Sequence, residues 1–326
     1  MRFSIFATLA FLASCRAVEY EGFNDDWSFN LYSAENTEWM SSLDDFIPLS
    51  MLSIPGTHNS MTYNLDHPRL QGQNVPLEDQ LIAGIRYFDI SCHALDYDLV
   101  VYHGLSSTCI RFQDVMNTIF TFLDHHPLET VVLRIQKHYP LESSEAFLRI
   151  LERCLSPGSD SGDRAVNRLF SKGDAGITDI PTLGEVRGKV FILQDFKTRV
   201  PGRYGLPWSS SKVSVYNFKV TIKTLLLGLK WHFVKSFIKS IPDHKKLSIT
   251  HTTASVGVRP IEIAAGSDSS KGMNARLGAF LKKKNESEKP FSSSDRVGII
   301  AMDYPGKKIV EQILELNNHY RVPRPI

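Results

Sequence analysis

The stretch "LSIPGTHNSM", residues 52–61, decides how this chain is read. An apolar run stops at Pro55-Gly56, and Thr57-His58-Asn59-Ser60 follows at once. Proline cannot donate to a sheet ladder and glycine has no side chain to pack, so the pair punctuates a strand. The polar cluster then lies at that strand's C-terminal end. Seven further runs share the pattern. "IRYFDISCH" (85–93) carries Asp89, Ser91 and His93, and "LVVYHG" (99–104) ends at His103. "TVVLRIQKH" (130–138) ends at Lys137 and His138, and "KVFILQDF" (189–196) ends at Gln194 and Asp195. "KVSVYNF" (212–218) is weaker, "LSITHTTAS" (247–255) includes His251, and "VGIIAMDYP" (297–305) carries Asp303.

Helical spacing marks the segments between several of these runs. Pro76–Ala83, Phe112–Leu123, Ser143–Leu155, Ile261–Leu281 and Lys307–Asn317 are expected to be helices. Strands alternating with helices predict a parallel sheet. Eight strands predict an α/β fold closed into a distorted (β/α)8 TIM barrel, whose sites lie at the C-terminal strand ends where the polar clusters fall. An open doubly wound sheet is the alternative, but the chain lacks a glycine-rich phosphate fingerprint.

The 326 residues are 42% hydrophobic and 22% charged, with a formal net charge of +2. That composition is globular, and such a balance gives no electrostatic footprint for nucleic acid. Arg2 precedes an apolar run, Phe3–Ala13, too short to span a bilayer. Residues 1–17 read as a secretory signal peptide. Leu12-Ala13-Ser14-Cys15 offers the alternative of a lipid anchor at Cys15. Residues 18–48 then form an N-terminal extension packing on a barrel of residues 49–326, and the product is secreted. Removing the leader leaves Cys92, Cys109 and Cys154, an odd set with Cys92–Cys109 as a possible bridge. Asn285-Glu-Ser is a glycosylation sequon in an expected surface loop.

Imidazole titrates near neutral pH, so His58 and His103 at two strand ends can serve as base and acid across one site. Asp303 ends the last strand, which neighbours the first in a closed barrel, and can orient His58. His125, His126, His232, His244 and His319 read as structural. A zinc or calcium site drawn from His58, Asp89, His93, His103 and Asp303 ranks behind the acid–base reading, because no His-x-His or Cys-x-x-Cys spacing supports it.

Together "SIPGTHNSMTYNL", "PLEDQLIAGIRYFDIS", "LVVYHG", "FTFLDHHPLETVVLRIQKH", "PTLGEVRGKVFILQDF" and "VGIIAMDYPG" resemble the phosphatidylinositol-specific phospholipase C X-domain family. The likeness is greatest to its secreted, bacterial-type members and runs from about Leu49 to about Leu316. The resemblance implies a phosphoric diester hydrolase without a cofactor, with calcium as the alternative. His58 would take the proton of the inositol 2-hydroxyl, which attacks phosphorus to give a cyclic phosphate. His103 would protonate the diacylglycerol oxygen, and Asp303 would orient the base.

The resemblance also implies substrate contacts. Asn59 sits beside the base where calcium-dependent members have Asn. Asp89 precedes the phosphate-binding position by two residues. That position is Arg in metal-independent members and acidic in calcium-dependent ones, but here it is Ser91, which carries no charge. Gln136 is likewise neutral, and Asp195 stands where the family has an inositol-contacting Arg. His93, Lys137 and Arg134 are the candidate replacement cations, Lys137 first because it matches a ligand-binding Lys. The expected partner is phospholipid at a membrane surface, met by a monomer. "TIKTLLLGLKWHFVKSFIKSI" (221–241) reads as a barrel helix or a basic amphipathic membrane helix, with Ile222, Leu226, Leu229, Phe233 and Phe237 on its apolar face. A catalytically impaired headgroup binder is the alternative function, and a metal-dependent barrel phosphodiesterase is a further rival.

Overall fold

The computed structural model describes residues 27–139, 143–218, 227–241, 245–254, 257–267, 270–287 and 295–323. Residues 1–17, read above as a leader, and with them Cys15, as well as Ile222 and Leu226, lie outside them. The strands are β1 (Ile54–Thr57), β2 (Tyr87–Leu95), β3 (Asp98–His103), β4 (Ser106–Arg111), β5 (Val131–Lys137) and β6 (Val190–Asp195). They continue with β7 (Leu206–Pro207), β8 (Val213–Tyr216), β9 (Leu247–His251), β10 (Gly266–Ser267), β11 (Ser270–Lys271) and β12 (Ile299–Met302).

Eight of these form one parallel path, β7-β6-β5-β2-β1-β12-β9-β8. The order is the chain order wrapped round, with the last strand joined to the first by Ile54↔Ile299 through Thr57↔Met302. Among the described residues no ladder joins β7 to β8, so the barrel is distorted and open at that seam. The number of staves matches the sequence expectation, but one member differs. "LVVYHG" is not a stave. It runs antiparallel against β2 as β3, and β4 pairs antiparallel with β3. The missing stave is Leu206-Pro207, two residues long and too short to leave a periodic signal.

β2, β5, β6 and β12 are buried on both faces, as parallel strands sandwiched between interior and helices must be. Gly56 allows β1 to lie against β2, since a Cβ there would meet Tyr87 Cδ1 at 2.6 Å. Residues 27–48 pack on the barrel through Leu31, Met40 and Leu43, all essentially buried. Arg86 and Glu129, fully buried, pair at 2.9 Å and tie this extension down. Arg86 Nη2 donates to the Thr37 carbonyl, and Glu129 Oε1 accepts from the Met40 amide.

Three local expectations change. The helix expected over Ile261–Leu281 is two helices, Pro260–Ala264 and Met273–Asn285. Gly266 at φ 91° breaks it and begins the β10–β11 pair. None of Cys92, Cys109 and Cys154 is in a disulfide among the described residues. Cys92 is buried on β2 and Cys109 is exposed on β4, so no bridge joins them. The sequon Asn285 is the last residue of its helix, and its amide donates to the Gln312 carbonyl and to Glu315.

Candidate active site

β1 ends at Thr57, and the His58 amide still donates to the Met302 carbonyl on β12 at 3.0 Å. Asn59 then turns the chain with φ at 46°, a left-handed value that Asn tolerates better than most residues. Ser60 anchors the turn to β2. Its amide donates to the Asp89 carbonyl and its hydroxyl accepts from the Asp89 amide at 2.8 Å. Gln73, on the loop beyond, donates from Nε2 to the carbonyls of His58 and Met302, clamping β1 to β12.

His58 Nδ1 lies 3.0 Å from Asp303 Oδ1, and Asp303 is 2% exposed. The other Asp303 oxygen accepts from the Ala254 amide at 2.9 Å, so the carboxylate is held from both sides. A carboxylate acceptor keeps the imidazole proton on Nδ1 and leaves the lone pair on Nε2. The Asn59 amide nitrogen sits 3.3 Å from the same Nδ1. The shorter, ionic contact sets the tautomer.

His103 ends β3, outside the barrel wall. His138 Nε2 lies 2.6 Å from the Gly104 carbonyl and so ties the following turn to the end of β5. Burial, then repulsion from a charged His58, lowers the His103 ring from 6.5 to about 4. Asp303 and Asp89 pull the other way. The His103 ring thus feels the charges of His58, Asp303 and Asp89.

Tyr87, Asp89, Ser91 and His93 share the interior face of β2 by strand alternation. In register on β5 are Arg134, opposite Asp89, and Gln136, opposite Ser91. Ser91 Oγ donates to Gln136 Oε1 at 2.9 Å, so this layer is neutral. The charge sits one layer deeper. Arg134 Nη1 donates to both Asp89 oxygens at 3.0 Å, and Nη2 donates to Asp195 Oδ2 at 2.6 Å. The guanidinium lies 4.1 Å over the Trp208 ring. Its charged state is reinforced by Asp89 against the cost of burial. His93 stands apart among aromatic rings, edge-on to Tyr102 at 5.5 Å and to Tyr139 at 4.6 Å. Lys137 pairs in register with Cys92, one step out of phase with Arg134 and Gln136, so alternation turns it to the opposite face. Hydrogen bonds thus link His58 with Asp303 and Asn59, link Asp89 with Asp195 through Arg134, and pair Ser91 with Gln136, while Lys137 falls on the other side of β5 by alternation.

Sequence reasoning gave no role to His251, Gln73 or Trp208. His251 closes β9 and meets His58 edge-on at 5.5 Å between ring centroids. One donor atom from each of His58, Asp89 and His251 lies within 4.8 Å of the others. Two imidazoles and one carboxylate suit a borderline metal such as zinc; calcium favours oxygen ligands. Strand-end position was the signal that could have found His251.

The sequence profile described as "Phosphatidylinositol-specific phospholipase C, X domain" matches residues 47–195. A 1-phosphatidylinositol phosphodiesterase of Listeria monocytogenes is 28% identical over 90% of this chain and 89% of its own length. One of Staphylococcus aureus is 23% identical over 87% of this chain and 95% of its own. The solved structure of phosphatidylinositol-specific phospholipase C from Listeria monocytogenes superposes with a TM-score of 0.72 at 25% identity. It covers 87% of this chain and 99% of that one. The barrel order, the strand-end histidines and these likenesses agree: residues 47–195 match the phosphatidylinositol-specific phospholipase C X domain, and nearly the whole chain is similar to bacterial 1-phosphatidylinositol phosphodiesterases.

Proposed function

We propose that the protein is a phosphoric diester hydrolase that cleaves a phospholipid headgroup by histidine acid–base catalysis. The single observation that carries this reading is the His58–Asp303 pair, 3.0 Å apart at the C-terminal ends of β1 and β12. His58 Nε2 takes the proton of a headgroup hydroxyl next to the phosphate. That oxygen attacks phosphorus, and the bond from phosphorus to the diacylglycerol oxygen breaks. The leaving oxygen takes its proton from His103, and the headgroup leaves as a cyclic phosphodiester. Placing nucleophile and phosphorus in one cavity supplies the entropic part of the rate. His103 is largely neutral at pH 7 in the free site, and a bound phosphodiester anion favours its charged form.

Catalysis through His58 requires no metal. The donor set His58, Asp89 and His251 would bind one through the lone pair that the base needs. The substrate is met at a membrane. The helix Leu227–Lys239 packs on the barrel with Leu227, Val234 and Ile238 and leaves Leu229 and Phe233 exposed, so part of the expected apolar face points to solvent. Leu105, which follows His103-Gly104, is 87% exposed, and Phe218 lies just beyond β8. Phe218 and Phe233 pack together, their ring centroids 5.7 Å apart. Residues 1–17 direct secretion, a reading supported by their short apolar run after Arg2. N-terminal sequencing of the mature product tests it.

The test of function is turnover of phosphatidylinositol, phosphatidylcholine and phosphatidylethanolamine vesicles with and without chelator. Diacylglycerol release from phosphatidylinositol that survives chelation is expected. Release that requires an added divalent ion contradicts the metal-free mechanism.

A further inference from the structure

The reaction proposed above gathers negative charge on phosphorus, yet the layer where the resemblance puts a cation holds the neutral pair Ser91 and Gln136. We propose that Arg134, one layer deeper, is the phosphate-binding cation, with Asp195 as a placeholder that the substrate displaces. The inference rests on the phosphodiesterase reading, and the geometry of one guanidinium carries it.

An arginine offers two edges to an anion: the two terminal nitrogens, or the side formed by Nε and Nη2. Arg134 gives Nη1 to Asp89, which it holds with both carboxylate oxygens at 3.0 Å. Nη2 meets a single oxygen of Asp195. Nε–H is buried, and among the described residues it has no acceptor. The Nε–Nη2 edge, the fork that takes carboxylate or phosphate two-handed, is therefore only half used. A buried donor left unpaired is destabilising, a cost that a second oxygen on this edge would remove.

The two carboxylates differ in what leaving would cost. Asp89 is 3% exposed and locked to Ser60 through its backbone. Asp195 is 26% exposed at the last residue of β6. Released, Asp195 turns into water and regains hydration, whereas Asp89 has none to regain. An incoming phosphodiester therefore displaces Asp195. Its two non-bridging oxygens accept from Nε and Nη2, while Trp208, stacked at 4.1 Å, holds the guanidinium plane. The position also suits the chemistry. Asp89 touches Nη1 and has an oxygen within 4.8 Å of a ring nitrogen of His58, so the guanidinium is one carboxylate removed from the base.

The test uses the full mature chain with Arg134→Lys, Asp195→Ala, Arg134→Gln and Arg134→Gln combined with Ser91→Arg. Each is assayed on phosphatidylinositol vesicles, titrated with inorganic phosphate by calorimetry, and checked by thermal unfolding. Lysine keeps the charge and lacks the fork, so Arg134→Lys is expected to lower kcat about a hundred- to a thousandfold. Asp195→Ala is expected to tighten phosphate binding at least tenfold. Ser91→Arg is expected to recover at least tenfold of the activity lost in Arg134→Gln, which a purely structural Arg134 would not allow. Wild-type kcat in Arg134→Lys, or phosphate binding unchanged or weaker in Asp195→Ala, overturns the proposal. If lysine unfolds the barrel, the Asp195→Ala titration decides alone. A native chain that binds phosphate through Arg134 but cleaves no phospholipid would refute the enzymatic reading and leave this one standing.

Discussion

At the scale of single residues, His58 and Asp303 act as one unit. Asp303→Asn replaces the acceptor that keeps the proton on Nδ1 by an amide that can present a donor instead. A fall in kcat of about a hundred- to ten-thousandfold is expected, with the fold intact by circular dichroism. Unchanged kcat would remove Asp303 from the mechanism. His103 makes a prediction about pH. Its ring pKa drops from 6.5 to about 4, first because it is buried and then because His58 repels its charge. Between those values the unfolded chain binds more protons than the folded one. The stability due to a neutral His103 is thus complete above pH 6.5 and lost as pH falls through about 4. A His103→Gln variant should flatten the acid limb of the unfolding midpoint over this window, and an unaltered limb would contradict the burial. His58, His103 and Asp303 were legible in the sequence because each closes an apolar run. Arg134 was named there as a candidate cation but ranked behind Lys137. "VVLRI" is apolar on both sides of Arg134, so the pattern cannot say which face looks inward. Only the pairing of β5 with β2 turns Arg134 in and Lys137 out.

At the scale of elements, the sequence shows strands well where they are long and parallel, and poorly where turns do the work. β2 and β3 are joined by Asp96-Tyr97 alone, with Asp96 at φ 52°, and β3 and β4 by Gly104-Leu105, with Gly104 at φ 58°. Two-residue loops of this kind mark hairpins. That signal separates "LVVYHG" from the barrel staves. The close approach of β1 to β2 makes a second prediction. Gly56→Ala would press a methyl into Tyr87, whose side chain is fully buried, and destabilise the protein by about 1–3 kcal/mol. Because His58 follows two residues later, kcat should fall as well. Urea unfolding with a wild-type midpoint would contradict the packing.

At the scale of the whole molecule, the buried Arg86–Glu129 pair braces one end of the barrel. Arg86→Met would leave Glu129 buried without its partner, which costs about 3–5 kcal/mol. Chemical unfolding should show the loss, and a change below 1 kcal/mol would mean that the extension is held by apolar contacts alone. At the other end, Leu105→Ser together with Phe218→Ser should weaken sedimentation with phosphatidylinositol vesicles at least tenfold. Equal sedimentation would move the membrane face elsewhere. The central claim is that His58 drives an internal attack on phosphorus. Phosphorus NMR of the water-soluble product, collected with chelator present, tests it most directly. The account predicts a cyclic phosphodiester signal that appears with the native chain and is absent with His58→Ala. An acyclic phosphate as first product, or the same cyclic signal from His58→Ala, would contradict it.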